Sequence, residues 1–193
     1  QGVSSAASDV YKRQLLIRTT NVFIDNAHLL KKVSVPKIVF PIICLGSSIF
    51  NFLIFYTIFL FFTLFIKIST IAVLLNILVP IFFLSLLGLS IGLVLALLNV
   101  FIRDVGNALS IFLQFWFWLT PIVYNMNTIP QKYLYYLEFN PVNICILASQ
   151  SVMFNDVNVE YVSFIYPSII SFFFFVIAYF LYVRLAEKIS DEL

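Results

Sequence analysis

Hydrophobic residues fall along this chain in long blocks rather than in short alternating segments. Four runs carry no charged residue: Ile38–Ile66, Ile68–Ile102, Val105–Gln131 and Tyr161–Val183. Each reaches or passes the ~20 residues that a helix needs to cross a ~30 Å hydrocarbon layer. Inside lipid the backbone must satisfy its own hydrogen bonds, so such runs become helices even where Val, Ile and Phe dominate them. A barrel would show alternating segments instead. The pattern predicts an all-α, polytopic membrane protein with four spans, near 41–66, 71–98, 106–124 and 163–184.

The interruptions refine this picture. The second run is 35 residues long, about 52 Å as a straight helix at ~1.5 Å per residue. It exceeds the membrane and must tilt, bend or project, and Pro80 supplies a place to kink. Ser85, Gly88, Gly92 and Ala96 recur at three- or four-residue spacing. That smooth stripe admits a second helix backbone, from the same subunit or across a dimer seam. On the third span Ser110, Gln114 and Trp118 share one face, and Phe112, Phe115, Trp116 and Leu119 another. An intramembrane amide prefers protein or water to lipid. Gln114 therefore lines a conduit or bonds to another helix, with the tryptophans at the outer interface. Beyond Pro121 the chain surfaces, with Tyr133, Tyr135 and Tyr136 clustered and Asn140-Pro141 breaking it. Pro141–Phe154 is apolar but only 14 residues long, a length that suits a re-entrant or interfacial segment. The region 125–156 is thus expected to form an outer hairpin.

Composition agrees: 62% of residues are hydrophobic and 10% charged, against about a quarter charged in soluble domains. Arg18, Lys31, Lys32, Lys37, Arg103, Arg184 and Lys188 fall on one side of the expected topology, and only Lys67 and Lys132 on the other. This excess assigns the first side, with both chain ends, to the cytoplasm. Nothing in the charges calls for nucleic acid. Cys44 and Cys145 are isolated, and His28 is the sole histidine, so neither a disulfide nor a metal site is indicated. Nucleotide-binding and nucleophile motifs are absent. Residues 1–14 are small, polar and aperiodic, unlike everything after them, and read as a non-native, adapter-like segment before the domain at 15–193. Asn26-Ala-His-Leu-Leu-Lys-Lys-Val33 reads as a short amphipathic helix that Asn26 can cap, either anchored among headgroups or docked on a partner. Arg103 and Asp104 mark a tight turn between spans. Asp104 is placed to cap the following helix, which leaves Arg103 for lipid phosphate or a partner.

Several segments, in order, resemble ABC-2 type transporter permeases, particularly those exporting lipid-linked polysaccharides such as O-antigen, capsule and teichoic acid. They are Asn26–Lys37 with Phe40-Pro41, Leu98-Asn-Val-Phe-Ile-Arg-Asp-Val105, Phe117-Trp-Leu-Thr-Pro-Ile-Val-Tyr124, Ile129-Pro130 and Asn140-Pro141. The resemblance covers residues 15–190 and implies six spans in the bacterial cytoplasmic (inner) membrane, of which this chain holds the last four. It also implies a permease homodimer around a conduit and a separate ATPase subunit that binds ATP, so that this chain needs no cofactor and is not an enzyme. Asn26, Leu29, Leu30, Lys31, Lys32, Arg103 and Asp104 then face the ATPase. Ser110, Gln114, Trp118, Tyr133, Tyr135 and Tyr136 are the expected conduit or glycan contacts, because rings pack on sugar faces. Gln150 stands where family members commonly carry an Arg. The competing readings are an ABC-2 exporter of drugs or small lipids, and a lipid-processing membrane enzyme. For the enzyme, Arg103-Asp104 is the only charged pair embedded between spans.

Overall fold

A computed structural model describes residues 2–32, 71–120, 139–155, 161–185 and 188–192, together with 39–40, 42–43, 46–47, 49–50, 53–54, 57–58, 61 and 137. The described residues contain helices and turns but no strand. In chain order the helices are α1 (Gly2–Asp25), α2 (Ala27–Lys32), α3 (Ile71–Phe101), α4 (Asp104–Trp118), α5 (Pro141–Asn155), α6 (Ile165–Leu185, after a 3₁₀ turn at Tyr161–Phe164) and α7 (Ile189–Glu192).

Two stretches, Leu78–Phe101 and Tyr161–Leu185, are helical, long and apolar enough to cross a membrane. They match the second and fourth expected spans. Most of the first expected span, 41–66, lies outside the described residues. The third is described only as α4, 15 residues long or about 22 Å, before the chain passes outside the described residues at 121. α5 also has 15 residues and falls short of a crossing. Of the expected outer hairpin, α5 is the described part.

The central helix is α3, against which α1, α6 and α5 pack. It runs unbroken through Pro80. Its small-residue face receives α1: a Cβ at Gly88 would stand 2.6 Å from Leu15 Cδ2, and one at Gly92 would stand 2.7 Å from Thr19 Cβ. The stripe therefore serves packing within the chain. Contacts advance in step along both helices, from Leu15–Gly88 through Thr19–Gly92 to Val22 and Phe23 beside Ala96 and Val100. The two helices are thus parallel. α6 runs the same way, with Phe164 stacked on Phe83 at 4.9 Å and Leu181 and Tyr182 against the Ala96–Val100 end.

Residues 2–14, set apart by composition, are helical and continue directly into Leu15–Asp25. The composition still shows. Asp9 and Lys12 are buried as an ion pair at 2.6 Å, an arrangement whose desolvation offsets much of its attraction. From Leu15 onward the buried face is largely apolar, with Leu15, Leu16, Val22 and Phe23.

Candidate functional site

Besides the buried Asp9–Lys12 pair, two polar nodes interrupt this apolar bundle, one at each end of α4. The first gathers around Asn99, which is 1% exposed in the last turns of α3. Its Nδ2 donates to Asn21 Oδ1 at 2.9 Å and to the Thr20 carbonyl at 3.3 Å. Its Oδ1 accepts the Gly106 N–H at 2.9 Å. Every hydrogen-bonding group of the amide side chain is engaged with α1 or α4, as burial of an amide demands. Gly106 permits this approach: an added Cβ would lie 3.1 Å from Asn21 Oδ1 and 3.4 Å from Asn99 Nδ2.

This node corrects the expected role of Asp104. Arg103 occupies the N-cap position of α4, no side-chain cap bond forms there, and Asp104 sits in the first turn. Asn99 takes the capping role from the preceding helix, because its carboxamide already points across the two-residue turn at an unpaired N–H of the first turn. Asp104 and Arg103 are both exposed, and Asp104 retains its favourable place at the positive helix end.

Asn26 also departs from expectation. It lies in the break between α1 and α2, and its Nδ2 donates to the Val22 carbonyl at 2.8 Å. It closes the end of α1 instead of capping α2, since the carbonyls of the last turn lack partners as surely as the N–H groups of the next helix. Leu29 is exposed. Leu30, Lys31 and Lys32 are helical, and their side chains lie outside the described residues. Because Thr20 and Asn21 meet Asn99 and Gly106, the α1–α2 junction and the Arg103-Asp104 turn share one end of the bundle. α7 joins them there through buried Ile189. The structure thus brings together the two segments that the family resemblance assigns to partner coupling.

The second node joins the far end of α4 to α5. Asn140 caps α5, accepting the Val142 N–H at 3.2 Å with Pro141 at the first helical position. The same Oδ1 accepts Trp116 Nε1–H in a long bond of 3.4 Å. Asn143, 1% exposed, donates to the Leu137 carbonyl at 2.8 Å and to that of Leu119 at 3.5 Å. Trp116 also packs against the cluster of Leu84, Leu87, Val142, Cys145, Ile146 and Phe164. Tyr166 donates to the Phe139 carbonyl at 2.8 Å, tying α6 to the same place.

Between the nodes α4 buries only Leu109 and Leu113. Ser110, Gln114 and Trp118 lie exposed along the opposite side, and Trp118 is 66% exposed. Ser110 bonds back to the Gly106 carbonyl at 3.2 Å. Gln114 makes no hydrogen bond to another helix among the described residues. Of the two tryptophans, Trp116 turns inward and Trp118 outward. Tyr133, Tyr135 and Tyr136 lie outside the described residues. Sequence reasoning missed Asn99, Asn140 and Asn143 as structural anchors. The available signal is an amide in an apolar run, which Asn99 shares with Gln114.

No metal-binding cluster of His, Cys, Asp or Glu occurs among the described residues. No family model matches the chain. Two curated proteins of Klebsiella pneumoniae, each named O-antigen export system permease protein RfbA, are similar to it: one is 34% and the other 31% identical over 77 residues. The matched segment covers 39% of this chain and 30% of each relative's length. The described residues are helical, with two helices long and apolar enough to cross a membrane, and over the matched part the chain is similar to O-antigen export permeases.

Proposed function

We propose that this chain is a permease subunit of an ATP-driven exporter that carries lipid-linked polysaccharide across the bacterial inner membrane, as a multi-pass homodimer coupled to a separate ATPase subunit. The observation that carries the reading is its likeness to the O-antigen export permeases. It is supported by the position of α2 and the Arg103-Asp104 turn at one end of the bundle, since a soluble partner could act on both segments there. That end would face the cytoplasm, with both ends of the chain. Ser110, Gln114 and Trp118 form an exposed line on α4 where hydroxyl, amide and ring suit a sugar chain. ATP hydrolysis belongs to the partner, and this chain performs no chemistry.

Replacing Leu29–Lys32 with Gly and Ser in the intact permease tests the coupling. The expected result is normal membrane insertion and continued ATP hydrolysis with little export. Wild-type export after that change removes α2 from the coupling route. Cargo is tested by deleting the gene from its host. Loss of surface glycan fits the proposal, whereas unchanged glycan with reduced drug efflux selects the alternative, an ABC-2 exporter of drugs or small lipids.

A further inference from the structure

The two nodes hold α4 in an unusual way. Among the described residues α4 buries only Leu109 and Leu113, which pack with Leu16 of α1 and beside Ile91 and Leu95 of α3. Its first turn is fixed by Asn99 through the Gly106 N–H. Its last turn is fixed by Trp116, which is lodged in the α3–α5–α6 cluster and bonded to Asn140. Ten residues, about 15 Å of helix, separate these attachments. A helix of that length is stiff, and one fixed at both ends and seated along one narrow apolar face moves as a rod between its attachments. The near attachment lies beside the Arg103-Asp104 turn, and the far one is the cap of α5.

We infer that α4 is the lever that transmits ATPase-driven motion to the α5 region, with Asn99 and Asn140 as its positioning residues. The inference rests on the exporter reading above. Movement of α1 and α2 reaches α4 through Asn21 and Asn99, because Asn99 bonds α1 and α4 with the same carboxamide. It leaves α4 through Trp116 and shifts the start of α5. Neither asparagine touches cargo in this scheme.

The test uses the intact permease co-expressed with its ATPase, and reads ATPase co-purification, ATP hydrolysis in vesicles and glycan export. Asn99→Ala and Asn140→Leu are expected to keep ATPase binding and hydrolysis while export per ATP falls about tenfold, within the usual range of coupling between sites. Asn140→Asp keeps the acceptor oxygen used by both Trp116 and Val142, and should restore export per ATP. Wild-type export per ATP in Asn99→Ala and Asn140→Leu overturns the lever and leaves the exporter reading standing. A wild-type permease that binds no ATPase overturns both. If either variant fails to accumulate in the membrane, Trp116→Phe decides. It keeps a packed ring and removes only the Nε1–H, so unchanged export per ATP overturns the lever, and a fall supports it.

Discussion

Asn99 Oδ1 accepts the Gly106 N–H at 2.9 Å, across a turn in which only Ile102 and Arg103 separate two helices. A side chain from one helix thereby caps the next, while its other end bonds Asn21 and Thr20 on α1. Removing it leaves the half-buried Gly106 N–H without its acceptor and takes a donor from both Asn21 Oδ1 and the Thr20 carbonyl. Asn99→Ala should lower stability by about 1–3 kcal/mol for each group left unpaired. Thermal unfolding of purified protein in detergent measures this as a lower midpoint.

Asp104→Ala should cost less than Asn99→Ala. Asp104 is exposed and contributes through the helix dipole alone, typically about 0.3–1 kcal/mol and screened by salt. The same unfolding assay ranks the two variants. An Asp104→Ala midpoint below that of Asn99→Ala would restore the carboxylate as the main cap.

Gly92→Ala should be more damaging than Gly88→Ala, although both new methyls meet α1. At Gly92 the obstacle is Thr19, whose Cβ is fixed to the backbone at 2.7 Å and whose branched side chain is stiff. At Gly88 it is the far end of Leu15, which can rotate away. Overpacking of this kind costs about 1–3 kcal/mol. Thr19→Gly in the Gly92→Ala background should recover part of the loss, because it removes the opposing Cβ. Yield of folded protein and unfolding midpoint both check this.

Gln114→Leu and Trp118→Ala should leave stability nearly unchanged, because both side chains are exposed. If that line of α4 carries sugar, glycan export should fall while ATPase binding persists. Comparing surface glycan with permease abundance separates the two effects.

α3 and α6 were legible because nothing but hydrophobicity is needed to predict them, and they follow the uncharged runs to within a few residues; α1, 24 residues long, was not, because its first half carries no apolar period. The direction of capping at Asn26 was not legible. Its amide carries both donor and acceptor, so it can close the helix before it or open the one after it, and only the position of Val22 decides. The Asn99 node was hidden for another reason. Its partners Thr20 and Asn21 lie 79 and 78 positions earlier, and no local pattern reports a bond over that separation. Hydropathy registers Asn99 only as a small dent in a long apolar run. The α4 face was legible in part: the Ser110–Gln114–Trp118 line emerged from helical spacing, whereas the inward turn of Trp116 depended on Asn140 and α5.

The parallel course of α1, α3 and α6 has an electrostatic consequence. Each helix ends in unpaired carbonyls equivalent to roughly half a negative charge, and here three such ends are gathered at one end of the bundle. Like poles side by side repel unless positive charge sits among them. Arg184 lies in the last turn of α6, and Arg103 follows α3 by two residues. These two arginines are favourably placed for the carbonyl ends of α6 and α3. Replacing both together would loosen the bundle at that end.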